Sequence, residues 1–150
     1  MFTKKKKLCH AVPPWVEDGA LFFITVNCEP RGVNQLCHPK KAEDLRQTVA
    51  FRQAKSEWWV RLFVVMPDHC HGLLSFSRSI PMQSSITNWK RFTARNLQID
   101  WQDDFFDHRI RDLSSLQEKE MYLANNPVRK GLCQRAEDWP YTWRAADLIA

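Results

Sequence analysis

Two apolar runs around a two-residue break constrain this sequence more than any other feature. Residues 58–66 read WWVRLFVVM and residues 69–77 read HCHGLLSFS, with Pro67 and Asp68 between them. Aromatic and β-branched residues are frequent in these runs, which is typical of buried strands. Two such strands around a break of two residues form a β-hairpin. The sequence therefore predicts a sheet that contains this hairpin.

The segments before and after the hairpin alternate between strand and helix patterns. Residues 20–27 form another apolar run, which predicts a strand. Residues 39–55 and 81–97 carry apolar side chains at helical spacing. A central hairpin with helical crossovers outside it predicts an α+β fold, in which an antiparallel sheet in a split βαβ arrangement carries flanking helices.

The C-terminal third is less regular. Residues 101–111 are aromatic and charged, and we expect a short hairpin or an extended segment there. A capping-box pattern at Ser115 predicts the start of a third helix, which runs to about Asn126, before Pro127. Residues 139–143 read WPYTW, and we expect them to lie against the body of the protein.

Charge and length give a weak indication of a partner. Lys and Arg number 22 and Asp and Glu 17 among 150 residues, so the net charge is +5. This balance is compatible with an anionic partner such as nucleic acid, but residues 4–7 alone supply four positive charges, and a merely basic tail fits composition better. We expect a basic N-terminal segment over residues 1–19 and one domain over residues 20–150.

The sequence lacks the long apolar runs of membrane or exported chains. No stretch reaches the length of a membrane span, and the apolar run of a signal peptide does not follow the N-terminal lysines. We therefore expect a cytoplasmic protein. The five cysteines include no CxxC pair, which argues against a disulfide framework or a zinc ribbon. Cys9–His10 and Cys37–His38 could share zinc, but adjacent ligands diverge, and ordinary thiols are the better interpretation.

His69 and His71 are the first candidates for chemistry. One residue separates them on a predicted strand, so both imidazoles lie on one face of the sheet, close enough to share a divalent ion. The same spacing also arises by chance. On spacing alone, two half-exposed strand histidines are the better interpretation.

The third helix adds Tyr122 and Asn126. Leu116 and Leu123 mark its core-facing side, and Tyr122 lies about 100° away from that stripe. Asn126 follows one turn later on the same neighbouring stripe. An Asn amide offers an oxygen ligand and a Tyr hydroxyl a nucleophile. Alternatively, Tyr122 packs at the rim of the core and Asn126 caps the helix.

Several stretches together resemble one family. Residues 65–74 (VMPDHCHGLL) resemble the strand motif of HUH endonucleases, in which two histidines flank a hydrophobic residue. Residues 122–132 (YLANNPVRKGL) resemble the nucleophile helix of single-tyrosine HUH transposases, and residues 101–111 resemble their linking segment. With residues 22–27 (FFITVN), the order and spacing most resemble the REP-associated tyrosine transposases, which are tied to short palindromic repeats in bacterial chromosomes. The resemblance covers residues 20–143.

The resemblance implies a fold and a chemistry. The fold would be a ferredoxin-like (HUH) sheet with the histidines on a central strand and the tyrosine helix beside them. The ligands of Mg²⁺ or Mn²⁺ would be His69, His71 and Asn126. Tyr122 would cleave single-stranded DNA at palindromic hairpin repeats, forming a 5′-phosphotyrosine link and a free 3′-hydroxyl, and a second 3′-hydroxyl could rejoin the strand. Cys70 stands where the family usually has a bulkier aliphatic residue, and a small buried thiol suits that place.

The implied partner is single-stranded or hairpin DNA, bound by a monomer or a homodimer that associates with the bacterial nucleoid when bound. Trp101 or Phe105 could stack on a base, and His108 could move a proton or have a structural role. Exposed basic side chains are often only solvated and aromatic ones are often core. The candidate phosphate contacts are Lys90, Arg91, Arg95, Arg109, Arg111, Arg129 and Lys130.

Three other functions remain open from the sequence. A replication-initiator or relaxase-type nickase would share the chemistry, but the short chain and residues 122–127 favour the transposases. A non-catalytic module that binds single-stranded nucleic acid could use the same fold. A small metallohydrolase is less favoured because the sequence offers no third His or carboxylate motif.

Overall fold

A computed structural model describes residues 19–149. The predicted basic segment up to residue 18, including the lysine run and Cys9–His10, lies outside the described residues. The strands are β1 (Phe22–Asn27), β2 (Trp58–Met66), β3 (His69–Phe76), β4 (Phe106–Arg109) and β5 (Thr142–Arg144). The helices are α1 (Pro39–Ala54), α2 (Met82–Leu97), α3 (Leu113–Ala124) and the single turn α4 (Asn126–Arg129), with 3₁₀ turns at Ala136–Asp138 and Ala145–Leu148.

The strands form one sheet in the order β4-β1-β3-β2-β5, and every neighbouring pair is antiparallel. The crossover through α1 leads from β1 to β2 with β3 inserted between them, and the crossover through α2 leads from β3 to β4 past β1. The predicted α+β fold with a split βαβ, ferredoxin-like sheet is confirmed. The predicted hairpin is confirmed too, because Met66 pairs with His69 across the Pro67–Asp68 break.

Alternation along the strands divides the core into two faces. On the first face, α1 and α2 pack their buried side chains against one set of strand residues, which includes Cys70 and Leu74. On the second face, Leu116 and Leu123 of α3 pack against a set that includes Leu73. The predicted core-facing stripe of the third helix is therefore confirmed. Cys70 of β3 is buried in the core of the first face.

Two sequence predictions about the C-terminal third were wrong in detail. α3 begins at Leu113, and its N-cap is Asp112, whose carboxylate accepts from the backbone N–H of Ser115; Ser115 is therefore a capped residue and not the cap. Pro127 lies in the first turn of α4, where a missing N–H costs nothing, so the chain turns helical again after Asn125.

The C-terminal aromatic segment was expected to lie against the body, but it also adds a strand to the sheet. Thr142–Arg144 pairs with β2, and Trp143 stacks on Phe63 with ring centroids 5.6 Å apart. A three-residue edge strand carries too little periodicity to be recognised by itself. Within residues 19–149, no helix combines the length and apolarity needed to cross a membrane.

Candidate functional site

The histidine pair lies on the second face of the central strand β3. The ring centroids of His69 and His71 are 4.7 Å apart, which confirms that alternation brings both imidazoles to one face. Leu73, the next residue on that side, packs in the cluster with Leu123 of α3. The histidines therefore share a face with the helix that carries Tyr122.

His69 is oriented by the carboxylate of the preceding residue. Its Nδ1 lies 2.7 Å from Asp68 Oδ1, while Asp68 Oδ2 accepts from the backbone N–H of Gly32 at 2.8 Å and from Arg31 Nε at 2.9 Å. Burial alone would raise the pKa of Asp68, but the hydrogen bonds from Gly32, His69 and Arg31 hold it well below its usual range. A permanently ionised Asp68 therefore holds the His69 ring in place.

His71 is oriented by the neighbouring strand β1. Its Nδ1 lies 2.8 Å from Thr25 Oγ1, and its ring packs against Phe23 with centroids 5.4 Å apart. Burial, together with the charges of His69, Arg31 and Arg129, lowers the pKa of His71 to about 3. Burial also lowers the pKa of His69, although Asp68 opposes this shift. His71 is thus a neutral imidazole at physiological pH, and neutral imidazole is the form that binds metals.

The two rings have the orientation of a ligand pair. Both rings form their hydrogen bonds through Nδ1, and an Nδ1–H that donates to Asp68 or to Thr25 leaves Nε2 with its lone pair for an ion. Within residues 19–149, no three His, Cys, Asp or Glu side chains come together as a metal cluster. Asn126, a buried polar residue with an amide oxygen, has suitable chemistry.

Tyr122 and Asn126 are linked through Arg129. The Arg129 guanidinium carbon lies 3.7 Å from the centroid of the Tyr122 ring, and Arg129 Nη2 is 3.4 Å from Asn126 Oδ1. Tyr122 is 56% exposed, so its hydroxyl is accessible to a macromolecular substrate, whereas Asn126 is 5% exposed. The alternatives considered from sequence fit less well, because Asn125 and not Asn126 caps α3 and Tyr122 is too exposed for a core rim.

Three basic side chains act electrostatically on the histidines. The charges of Arg31 and Arg129 act on His71, and those of Arg31 and Lys130 act on His69, in each case disfavouring an imidazolium. Positive charge that acts on two imidazoles is also suited to a phosphate group.

The candidate DNA contacts on α2 lie on the other side of the sheet. The buried residues of α2 belong to the first face, opposite the histidines. Arg91 and Arg95 are exposed there. Lys90 Nζ donates to the carbonyls of Gln102 at 2.7 Å and Asp104 at 2.5 Å. These contacts fix the segment before β4, and the contact of Lys90 with DNA stays a prediction.

The remaining candidate DNA contacts also lie in different parts of the sheet and its helices. Arg109 pairs with Phe22, whose side chain belongs to the first face, and Arg111 is exposed just beyond β4. Arg129 is the only member of the predicted contact set that the described structure places against Tyr122. His108 pairs with Phe23 and is exposed on the histidine face.

The two proposed stacking residues are both structural, so that prediction was wrong. Phe105 is 3% exposed in the first-face core. Trp101 packs on Trp89 with centroids 5.4 Å apart, and its Nε1 donates to Thr93 Oγ1.

Three orienting residues were missed by sequence reasoning: Asp68, Arg31 and Thr25. An acidic residue directly before a candidate ligand His is a signal that could have suggested Asp68. No local signal identifies Thr25 or Arg31. Thr25 contacts His71 because β1 pairs with β3, and Arg31 acts on His69 through its ion pair with Asp68.

Comparisons with known proteins identify relatives of this chain. No protein-family model matches the chain. The chain is 28% identical over 129 residues to the REP-associated tyrosine transposase of Escherichia coli K12, a match that covers 83% of this chain and 76% of the relative. It is 30% identical over 144 residues to a protein of Haemophilus influenzae described as a REP-associated tyrosine transposase, covering 83% of this chain and 79% of the relative.

A solved structure shares the fold as well. The structure of a REP-associated tyrosine transposase bound to a REP hairpin has 25% sequence identity and a TM-score of 0.73, over 93% of this chain and 82% of that chain. The five-stranded sheet and its helices are thus a transposase fold. The chain belongs to the REP-associated tyrosine transposases.

Proposed function

We propose that this protein is a metal-dependent endonuclease and strand transferase that acts on single-stranded DNA at hairpin repeats, with Tyr122 as the nucleophile. One observation carries the proposal. A neutral histidine pair, oriented through Nδ1, lies on the same face of the sheet as an exposed tyrosine whose helix is followed, after Asn125, by a buried asparagine at the start of α4. Family membership supports a transposase reaction.

The proposed partner is a DNA hairpin with single-stranded flanks. The solved relative is bound to a REP hairpin. In this chain, the charges of Arg31, Arg129 and Lys130 act on the histidines, and these side chains would attract the phosphate backbone. The exposed Tyr122 leaves room for a strand to pass across the site.

His69, His71 and Asn126 would hold the divalent ion. Two nitrogen ligands favour Mn²⁺, whereas the amide oxygen, phosphate oxygens and cellular supply favour Mg²⁺. When bound, the ion supplies charge neutralisation at the phosphoryl oxygens. Asp68 and Thr25 would then keep the two imidazoles aimed at that ion.

Tyr122 would attack the scissile phosphorus through its hydroxyl oxygen. The new bond joins Tyr122 Oη to the 5′-phosphate and the bond to the 3′-oxygen breaks. The tyrosine gives up one proton to solvent, and the departing 3′-oxygen takes up one proton to become a hydroxyl. The Arg129 guanidinium over the ring would help to hold the Tyr122 side chain in place. Because the phosphotyrosine bond retains the energy of the broken one, a 3′-hydroxyl can reverse the reaction and join strands.

The test of this function is formation of a covalent adduct. The protein is incubated with palindromic single strands with flanks, in the presence of Mn²⁺, and separated on a denaturing gel. We expect a protein–DNA band that chelator prevents and that Mn²⁺ or Mg²⁺ restores. Specific hairpin binding without any adduct would instead indicate a non-catalytic binding module.

Asp68→Asn is expected to weaken Mn²⁺ binding by about 10- to 100-fold, the range found when a carboxylate behind a ligating histidine is lost. The neutral amide makes a poorer acceptor for His69 Nδ1–H and also weakens the ion pair with Arg31. Isothermal titration with Mn²⁺ measures the effect. Asp44→Asn is the control, because Asp44 pairs with Lys40 on the surface of α1. Unchanged Mn²⁺ affinity in Asp68→Asn would remove Asp68 from the site.

Hairpin binding should be salt-dependent through the histidine side of the sheet. Raising salt from about 50 to about 200 mM should weaken binding more than about tenfold, because phosphate contacts release counterions. Lys130→Gln should lower the salt slope by about one, whereas Arg91→Gln on α2 should not change it. Fluorescence anisotropy with a labelled hairpin gives both slopes. A larger effect of Arg91→Gln would place the DNA on the α2 side.

A further inference from the structure

The edge strand β4 presents an exposed aromatic ring to the histidine face. Phe106 is 57% exposed, whereas its neighbour Phe105 is 3% exposed and packs in the first-face core. Single exposed apolar rings are common on protein surfaces, so what distinguishes Phe106 is its place beside the candidate site, on the histidine face of the sheet. Trp101 and Phe105, which the sequence analysis named as possible base-stacking residues, both make contacts inside the protein.

Strand register aligns Phe106 with the candidate site. Thr25 of β1 pairs with His71 on one side and with Phe106 on the other. Paired residues of antiparallel strands project to the same face, so His71, Thr25 and Phe106 form one row across three strands. Since neighbouring strands are about 4.8 Å apart, Phe106 lies two strands, or about 10 Å, from His71.

The surroundings of this row suit a nucleotide. The Phe23 ring contacts His71 on one side, and the Lys119 ammonium lies 5.2 Å from the centroid of the same ring. His108, also exposed on this face, is the next residue of β4 on that side. A cation and an imidazole next to an open aromatic ring match the phosphate and the base of a single strand.

We propose that Phe106 is a stacking platform for an unpaired base of the DNA strand, within about three nucleotides of the phosphate at the histidine pair. This inference rests on the proposed function. The spacing follows from the row, because about 10 Å equals roughly three nucleotide steps of a stacked strand. Stacking on a phenyl ring tolerates any base, so Phe106 contributes affinity for the single-stranded flank and not sequence selection.

The test compares two exposed phenylalanines on two DNA ligands. Phe106→Ala and Phe51→Ala remove rings that are 57% and 56% exposed, and Phe51 lies on α1 across the sheet. Each variant is titrated by anisotropy with a blunt hairpin and with the same hairpin carrying single-stranded flanks. We expect Phe106→Ala to weaken binding of the flanked hairpin by roughly ten- to hundredfold and to leave the blunt hairpin unchanged. Phe51→Ala should change neither, and Phe106→Trp should restore the flank effect.

An abasic scan locates the stacked base. Removing bases one at a time from the flank should weaken wild-type binding at one position, and that position should have no further effect in Phe106→Ala. Equal losses at every position in both proteins, or an affinity of Phe106→Ala for the flanked hairpin equal to that of the wild type, would overturn the proposal. A change in oligomeric state of Phe106→Ala by sedimentation, with DNA affinity kept, would overturn it in favour of contact with a second copy.

The two proposals fail in different ways. If wild-type protein forms the covalent adduct and Phe106→Ala binds flanked hairpins normally, only the stacking role is wrong. If wild-type protein distinguishes neither hairpins nor flanks from duplex DNA, both the DNA function and the stacking role are wrong. A stacking effect without any adduct would support the platform and refute the nuclease.

Discussion

Tyr122→Phe is expected to abolish the covalent protein–DNA adduct and to lower strand cleavage by more than about a thousandfold, the scale of loss when an enzyme loses its nucleophile. The substitution removes the attacking oxygen and keeps the ring beneath Arg129, 3.7 Å from its guanidinium carbon in the native protein. Because Tyr122 is exposed, folding should be unaffected. Denaturing gels with end-labelled hairpin measure cleavage, and anisotropy should show unchanged hairpin affinity.

The chain supplies a matched control for this substitution. It contains only two tyrosines, and the second, Tyr141, packs against Trp139 with ring centroids 5.3 Å apart. Tyr141→Phe should keep both cleavage and adduct. An adduct that persists in Tyr122→Phe and disappears in Tyr141→Phe would reassign the nucleophile to the C-terminal segment.

His69→Ala and His71→Ala should each remove metal-dependent cleavage. Losing the partner of a metal-ligating histidine typically costs about 10- to 100-fold in metal affinity, so losing the ligand itself should cost at least about 100-fold. Titration with Mn²⁺ measures this loss directly, without DNA. The adduct assay should then show no rescue by either ion at concentrations that saturate the wild type.

His38→Ala is the control for the histidine pair. His38 is the N-cap residue of α1, and its Nε2 lies 2.8 Å from the carbonyl oxygen of Asn34. This variant should keep Mn²⁺ binding and cleavage. Thermal unfolding of all three variants separates loss of ligation from loss of fold, since His69 is buried. Cleavage that survives in a folded His71→Ala protein would contradict the ligand assignment.

Several features of the site followed from patterns within single elements. A spacing of two on one strand places His69 and His71 together, because side chains alternate across a strand whatever its neighbours are. A spacing of seven on one helix predicts that Leu116 and Leu123 face the core. The periods of a strand and of a helix are fixed by their backbone geometry. The spacing of residues in the sequence is therefore enough to predict which side chains share a face.

Contacts between distant elements were decided only by the fold. Whether Phe105 or Phe106 is exposed depends on the register in which β4 pairs with β1. Two neighbouring phenylalanines give no local signal for this register. Lys90 was indistinguishable from Arg91 by charge, but it meets two backbone carbonyls that the segment before β4 brings to α2. Burial of a cation depends on such partners and not on the residue type.

The sequence by itself determined the central hairpin, the shared face of the histidines, the apolar stripe of the third helix and the family resemblance. Tertiary structure alone decided the fifth strand, the contacts of Arg31 and Gly32 with Asp68, and the pairing of Thr25 with His71. The physical reason is one of range. Alternation and helical period act between residues a few positions apart, whereas strand register and loop docking are set by packing of the whole sheet.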